Sequence, residues 1–151
     1  MNIEIWGKNI WFLLHGLIHK LNNEEFKNYK DDFIYIFTNI VFHLPCFECS
    51  RDAHSVIDVN KLKKFTNKND MEKYIFDFHN YVNKKLKKNE FNYDDINKYD
   101  KINIEISINN FKLIFSSNSN IPQLMGQSFH RQNILPLILI KIENIKKYLD
   151  A

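Results

Sequence analysis

The chain has 151 residues, a formal net charge of +3 and an aromatic share of 15%, a length that allows one domain with its own hydrophobic core and no need of disulfides merely to fold. Lysine far outnumbers arginine, but Lys61, Lys63, Lys64 and the lysines of 84–88 lie near Asp and Glu, so the clustered basic excess of nucleic-acid binders is missing and no nucleic-acid partner is expected. The start of the chain lacks the basic-then-apolar pattern of a signal peptide, and no segment reaches the roughly 18 apolar residues of a membrane span, so a soluble protein with no membrane span is expected.

Ile10, Leu13, Leu14, Leu17, Ile18 and Leu21 recur at helical spacing and predict a helix over 9–21. The pattern returns over 26–42, where Phe33, Ile36, Phe37, Ile40 and Val41 form an apolar stripe. Pro45 marks a break, and a third helix is expected from about Cys46 to about Val59. Asn67 to Asp70 supply capping residues for a fourth, with Tyr74, Ile75, Phe78, Val82 and Leu86 on its buried side. Four helices with short links make a bundle. Beyond it, Ile102, Ile104, Ile106 and Ile108 alternate with polar residues, Asn109-Asn110 offers a turn, and Phe111, Leu113 and Phe115 alternate again, which predicts a β-hairpin. A loop is expected over 116–126 and a last helix over 134–149. The predicted fold is mainly α, with a four-helix core over 1–95 and an extension over 96–151, hairpin plus helix, serving as a dimer or partner surface.

Cys46 and Cys49 are the only cysteines and form one Cys-x-x-Cys pair. Pro45 precedes them and a helix follows, so both thiols lie in a first turn, where the helix dipole favours thiolate. Glu48, Asp52 and Asp58 oppose that effect. Phe47-Glu48 separates the pair without Gly or Pro, and helices on both sides leave no βαβ unit of thioredoxin type. A zinc site would need further ligands, for which only His43 and His54 are at hand. An isolated dithiol holds two electrons and reacts poorly with oxygen. A flavin bridges thiol and oxygen chemistry.

Gly7, Trp11 and His15 are spaced to share one face of the first helix. That face combines open backbone, a flat ring and a polar ring, suited either to a core or to a planar ligand. On the fourth helix His79, Val82, Asn83 and Leu86 share a face, with Asn80 beside it and Lys85 or Lys88 placed to meet a pyrophosphate. Inward polar side chains cost about 1–3 kcal/mol each unless a partner is supplied. The alternatives are a wet helix end and a flavin-free helical interaction module whose cysteines form a passive disulfide or bind zinc.

Trp6-Gly7 with Trp11 and His15, then Leu44-Pro45-Cys46-Phe47-Glu48-Cys49, then His79-Asn80-Tyr81-Val82-Asn83-Lys84-Lys85-Leu86, resemble in order and spacing the Erv/ALR family of FAD-linked sulfhydryl oxidases. The resemblance covers about residues 6 to 90 and is nearest to the minimal viral members, of the poxvirus and African swine fever virus type. It implies a four-helix bundle that binds FAD, commonly as a homodimer, and a thiol oxidase that forms disulfides in protein substrates and passes electrons to molecular oxygen with release of hydrogen peroxide. It also implies that Cys49 makes the electron-transfer contact with the flavin and that Cys46, more exposed, exchanges with substrate. Gly7, Lys8, Trp11, His15, His79, Asn80, Val82, Asn83, Lys85 and Lys88 match FAD-contacting positions, and no metal is implied. The chain departs from cellular members in lacking a shuttle cysteine pair, so the substrate, a protein dithiol or a thioredoxin-like carrier, must reach Cys46 directly. It also lacks the tryptophan after the Asn-bearing helix, where Phe91, Tyr93 and Tyr99 are the nearest aromatics. A viral source would place the protein in host cytoplasm or virion.

Overall fold

In a computed structural model that describes residues 3–117 and 122–151, the chain is helical throughout its regular structure. The helices are α1 (Ile3–Lys20), α2 (Phe26–Val41), α3 (Phe47–Val56), α4 (Val59–Lys64), α5 (Lys68–Lys85), α6 (Ile104–Ser116) and α7 (Pro122–Lys146), with 3₁₀ segments at Asn23–Glu25 and Tyr93–Lys101. The N-terminal half follows the apolar periodicity: Ile10, Leu13, Leu14, Leu17, Ile18 and Leu21 are buried, as are Phe33, Ile36, Phe37, Ile40 and Val41. Asn67 caps α5, its side-chain oxygen accepting from the Asp70 N–H at 2.9 Å, which meets an otherwise unpaired donor of the first turn. Leu86 instead lies past the end of that helix and is 37% exposed.

The expected third helix ends early, and a separate short helix follows it. The first ends at Val56, and Asp58 starts α4 by accepting from the Lys61 N–H at 3.2 Å. The carboxylate that the sequence set against the cysteines therefore caps another helix.

The expected hairpin is absent: 104–116 form α6, and no strand element occurs among the described residues. Two periods compete in this segment. Isoleucines at every second position fit a strand, but Ile108, Phe111 and Phe115 fit one helical face, and all three are buried. Asn103 decides locally, since its side chain accepts from the Ile106 N–H at 3.2 Å and starts the helix. The expected loop over 116–126 is likewise short, because Ser116 ends α6 and Pro122 opens α7; residues 118–121 of that expectation lie outside the described residues. Proline suits a first helical position, where its missing N–H has no partner to lose.

α1 packs against α5 and α6, α2 against α7 and α4, and α6 against α7. One core cluster joins these helices, with Ile108, Phe111, Ile114 and Phe115 from α6 and Ile138, Ile142 and Ile145 from α7 buried in it. The C-terminus is tied to the end of α1 and the link after it: the Asp150 N–H donates to the Lys20 carbonyl at 2.7 Å and the Asn22 N–H to the Tyr148 carbonyl at 2.9 Å. His19 adds a polar clamp, its two ring nitrogens facing Glu72 of α5 and Asp100 of the second 3₁₀ segment. Among the described residues no helix is long and apolar enough to cross a membrane.

Candidate active site

Cys46 is the N-cap of α3. Its sulfur accepts from the Cys49 N–H at 3.2 Å, and its carbonyl accepts from the Ser50 N–H at 3.0 Å. The two cysteines form a disulfide with Cα atoms 5.2 Å apart. Backbone donors at a helix start stabilise negative charge on sulfur, so this turn favours a thiolate once the bond opens. Asp52 works against that less than its charge suggests, because Lys85 of α5 pairs with it at 3.3 Å; the pair raises the Lys85 ammonium above its usual range.

The disulfide borders a cavity of about 110 Å³ whose walls also include Val82 and Lys85 of α5 and Leu86 just past its end. Val82 and Leu86 are shared with a larger cavity of about 250 Å³. That cavity brings together Gly7, Lys8 and Trp11 of α1 with His79, Val82 and Asn83 of α5, and Lys88 beyond it. α5 ends with Lys87 at a φ of 56°, the left-handed residue that commonly closes a helix, and the Lys88 N–H donates back to the Asn83 carbonyl at 2.8 Å. This turn carries Lys88 to the cavity.

The aromatic groups stack in sequence. Trp11 and His79 lie face to face, centroids 4.0 Å apart at 12°, and His15 stacks on Tyr99 at 4.8 Å and 17°. His15 is fully buried, and its Nε2 lies 2.9 Å from His79 Nδ1, a hydrogen bond. Burial, then the neighbouring His79, hold His15 well below its usual pKa. Burial and the positive charges of Lys98 and Lys88 hold His79 at about 3. Both rings are thus neutral near pH 7, and one N–H serves the bond between them. His15 Nδ1 is buried with no partner.

Three further expected positions sit elsewhere. His15 lies behind His79 rather than among the cavity-lining residues. The Asn80 amide holds the chain after α5, donating to the Phe91 carbonyl at 2.8 Å and accepting from the Phe91 N–H at 2.7 Å. Lys85 lies by the disulfide. Sequence reasoning missed the cavity roles of Ile10, Phe12, Val41, Leu44 and Lys98. Lys98 and Tyr99 come from the second 3₁₀ segment, with the Lys98 ammonium 4.1 Å from the Phe91 ring centre. Of the three candidate aromatics, Tyr99 lines the cavity, whereas Tyr93 packs edge-on against Phe76.

His43 and His54 do not join the cysteines. His43 Nδ1 bonds the Asn39 carbonyl at 2.7 Å, and His54 stacks on Phe42. Among the described residues no group of three or more His, Cys, Asp or Glu side chains forms a metal site.

An all-helical core that sets a Cys-x-x-Cys disulfide beside a histidine- and tryptophan-lined cleft defines a class of helical redox folds. The sequence model of the Erv1 / Alr family matches residues 8–102, and the chain belongs to that family. It is 33% identical over 85 residues to the FAD-linked sulfhydryl oxidase of African swine fever virus (isolate Pig/Kenya/KEN-50/1950), covering 55% of this chain and 69% of that protein. The protein of the same description from isolate Tick/Malawi/Lil 20-1/1983 is 32% identical over the same shares. No solved structure matches the chain significantly.

Proposed function

We propose that this protein is an FAD-linked thiol oxidase that forms disulfides in protein substrates, passes their electrons to oxygen and releases hydrogen peroxide. The observation that carries this reading is the shared wall between the disulfide and the aromatic cavity, where Val82 and Leu86 border both. The residues present fit a flavin dinucleotide. An unmet polar atom lies behind the cavity at His15 Nδ1, a Cβ added at Gly7 would meet nothing within 4 Å, and Lys8, Lys88 and Lys98 supply positive charge for a pyrophosphate. The cavity, at about 250 Å³, falls below the roughly 300–1,000 Å³ of typical ligand sites, so it would hold only part of a dinucleotide.

The chemistry of the chain itself starts at sulfur. A substrate thiolate attacks Cys46 Sγ, breaks the bond to Cys49 and forms a mixed disulfide. A second substrate thiolate attacks the substrate sulfur of that bond, so the substrate leaves oxidised and both cysteines are left reduced, with the electron pair on them. Helix N-terminal amides hold the negative charge that results, starting with the Cys49 N–H bonded to Cys46. FAD, when bound, supplies the acceptor for that pair and its route to oxygen. Cys49 is the sulfur assigned to the flavin, Cys46 the one assigned to substrate. Gly7, Lys8, Trp11, His79, Val82, Asn83 and Lys88 are assigned to FAD contact, and His15 to positioning of His79. Asn80 and Lys85, which do not line the aromatic cavity, are assigned indirect roles toward the same cofactor, Asn80 by holding Phe91 and Lys85 by pairing with Asp52 beside the disulfide.

The reading divides the chain after the second 3₁₀ segment rather than at residue 95, because Lys98 and Tyr99 line the cavity. It includes a homodimer through the outer face of α6 and α7, where Leu113, Leu137 and Ile140 are exposed; sedimentation measures that mass. The function is tested by colour and gas uptake. Purified protein should carry a flavin spectrum and, given dithiothreitol, consume oxygen and yield peroxide in equal amounts. A folded, colourless preparation that takes up no FAD would instead mark a flavin-free module.

A further inference from the structure

A second space of about 320 Å³ lies against Phe47, Ser50 and Arg51 of α3 and shares Leu44 with the aromatic cavity. Its walls include Phe42, Leu44 and Phe47 together with Arg51 and Arg131, three histidines and Gln127. Among the described residues no Asp or Glu lines it. Arg131, on α7, is 5% exposed, and its Nε is buried with no hydrogen-bond partner. One terminal nitrogen reaches the Leu44 carbonyl only at 3.5 Å, and no carboxylate among the described residues pairs with the guanidinium. A buried charge without a counter-ion is costly. Burial accordingly pulls the Arg131 guanidinium below its usual range. A planar fork that cannot deprotonate near neutral pH is best satisfied by a carboxylate or similar anion.

The position of this space ties it to the disulfide. Phe47 sits between the two cysteines, is 56% exposed, and carries the Arg51 guanidinium over its ring at 5.7 Å. Ser50, one residue past Cys46–Cys49, also lines the space, and its hydroxyl donates to the Leu44 carbonyl at 3.2 Å. α3 therefore borders two spaces, the small cavity beside the disulfide through Glu48, Cys49 and Asp52 and this apolar-walled, arginine-bearing space through Phe47, Ser50 and Arg51.

We propose that this space is a docking subsite for an Asp or Glu side chain of the protein substrate, carried a few residues from the reacting cysteine. The proposal rests on the thiol-oxidase reading for its biological sense, but its binding test does not need turnover. Apolar walls beside the two arginines suit a peptide side chain with a methylene stem and a charged end. α7, which brings Arg131, lies outside the residues matched by the family, so the subsite would be particular to chains carrying this extension.

The experiment uses the purified full chain and two labelled peptides in which serines replace the cysteines, identical except for Glu or Gln a few residues from the first serine. Fluorescence anisotropy should show the Glu peptide binding about tenfold more tightly, the ratio expected from one charge-assisted hydrogen-bonded contact. Arg131→Gln should remove the preference, Arg51→Gln should reduce it, and Lys27→Gln, a charge change on α2 away from the space, should leave it. If Arg131→Gln does not fold, the exposed Arg51→Gln carries the test. Equal binding of both peptides, or a preference that survives both arginine substitutions, overturns the proposal. Displacement of neither peptide but saturable binding of free glutarate would show a small-carboxylate site and also overturn substrate docking. The dithiol forms of the same peptides should then differ in kcat/KM by a similar ratio while dithiothreitol oxidation stays equal in all variants. Dithiothreitol oxidation with no Glu preference removes the subsite alone, whereas absent oxidation with the preference intact removes the oxidase reading alone.

Discussion

On the side of α1 that faces α5, Gly7 opens onto a cavity, Trp11 stacks on a histidine, and His15 holds a buried nitrogen with no partner. On the side that faces α6, a Cβ added at Gly16 would lie 3.0 Å from Ile102 Cγ2 and 3.1 Å from Ile104 Cδ1. One helix thus has a face with room and unmet hydrogen-bonding capacity and a face filled to contact. Close packing is the ordinary state of a protein interior, so the filled face accounts for stability and the open one needs a ligand to account for it. The difference tracks the family only in part: α6, which helps close the second face, lies beyond the residues matched, whereas Ile102, the nearest contact of Gly16, is the last of them.

The largest break in this comparison is to remove the closing helices. A chain ending at Lys101 would lose seven core side chains, from Ile108 to Ile145, each no more than 5% exposed. Full burial of such a side chain stabilises by about 1.5–3 kcal/mol, and the total approaches or exceeds the 5–15 kcal/mol of a typical domain. The shortened chain should show no cooperative thermal unfolding. A cooperative, flavin-binding fragment would instead show that 1–101 is a self-sufficient unit, as the sequence alone suggests.

A smaller effect comes from acid. His15 and His79 are held below the ordinary histidine pKa of 6.5, His79 at about 3. Between those values the unfolded chain binds protons that the folded chain does not. The stability from these neutral rings is therefore complete above about pH 6.5 and falls as pH drops, by about 1.4 kcal/mol per pH unit for each histidine until its folded pKa is reached. Urea unfolding of the flavin-free protein at a series of pH values measures the slope. His79→Phe keeps a ring against Trp11 and should lower that slope; an unchanged slope would mean that the open face does not hold His79 neutral.

The two glycines give the smallest and sharpest contrast. Gly7→Ala should raise folding stability by about 0.5–1 kcal/mol, the helix gain of alanine over glycine, and weaken FAD binding. Gly16→Ala must displace isoleucine methyls and should be less stable than Gly7→Ala, with FAD affinity kept. Melting temperature and flavin titration separate the two, and a reversed order would contradict the assignment of the faces.

The sequence was most legible where one period had no rival. In α1 and α2 the apolar residues fit only a helix, and their buried stripes are those expected. The Cys-x-x-Cys turn and the paired motifs of α1 and α5 were equally plain, since unusual residue types recur there at fixed spacing. In 102–108 isoleucine at every second position imitated a strand, and only the Asn103 cap and the contact of α6 with α1 decide for a helix. Lys98 and Arg131 were not legible as site residues, and Tyr99 could be named only as one of three candidate aromatics, because a 3₁₀ segment and a helix distant in sequence carry them to the two cavities. Asn80 could be placed on the correct helix, but that its amide holds Phe91 depends on where the chain turns after Lys87.

The central claim is that the dithiol at the start of α3 hands its electrons to a flavin held against α1 and α5. Dithiothreitol added without oxygen to the yellow protein and to its Cys49→Ser variant tests this most directly. The wild type should bleach, and the variant should keep its colour and bleach at least about a thousandfold more slowly, as expected when an essential nucleophile is removed. Equal bleaching of the two would mean that electrons reach the flavin without passing through Cys49, and the account would fail.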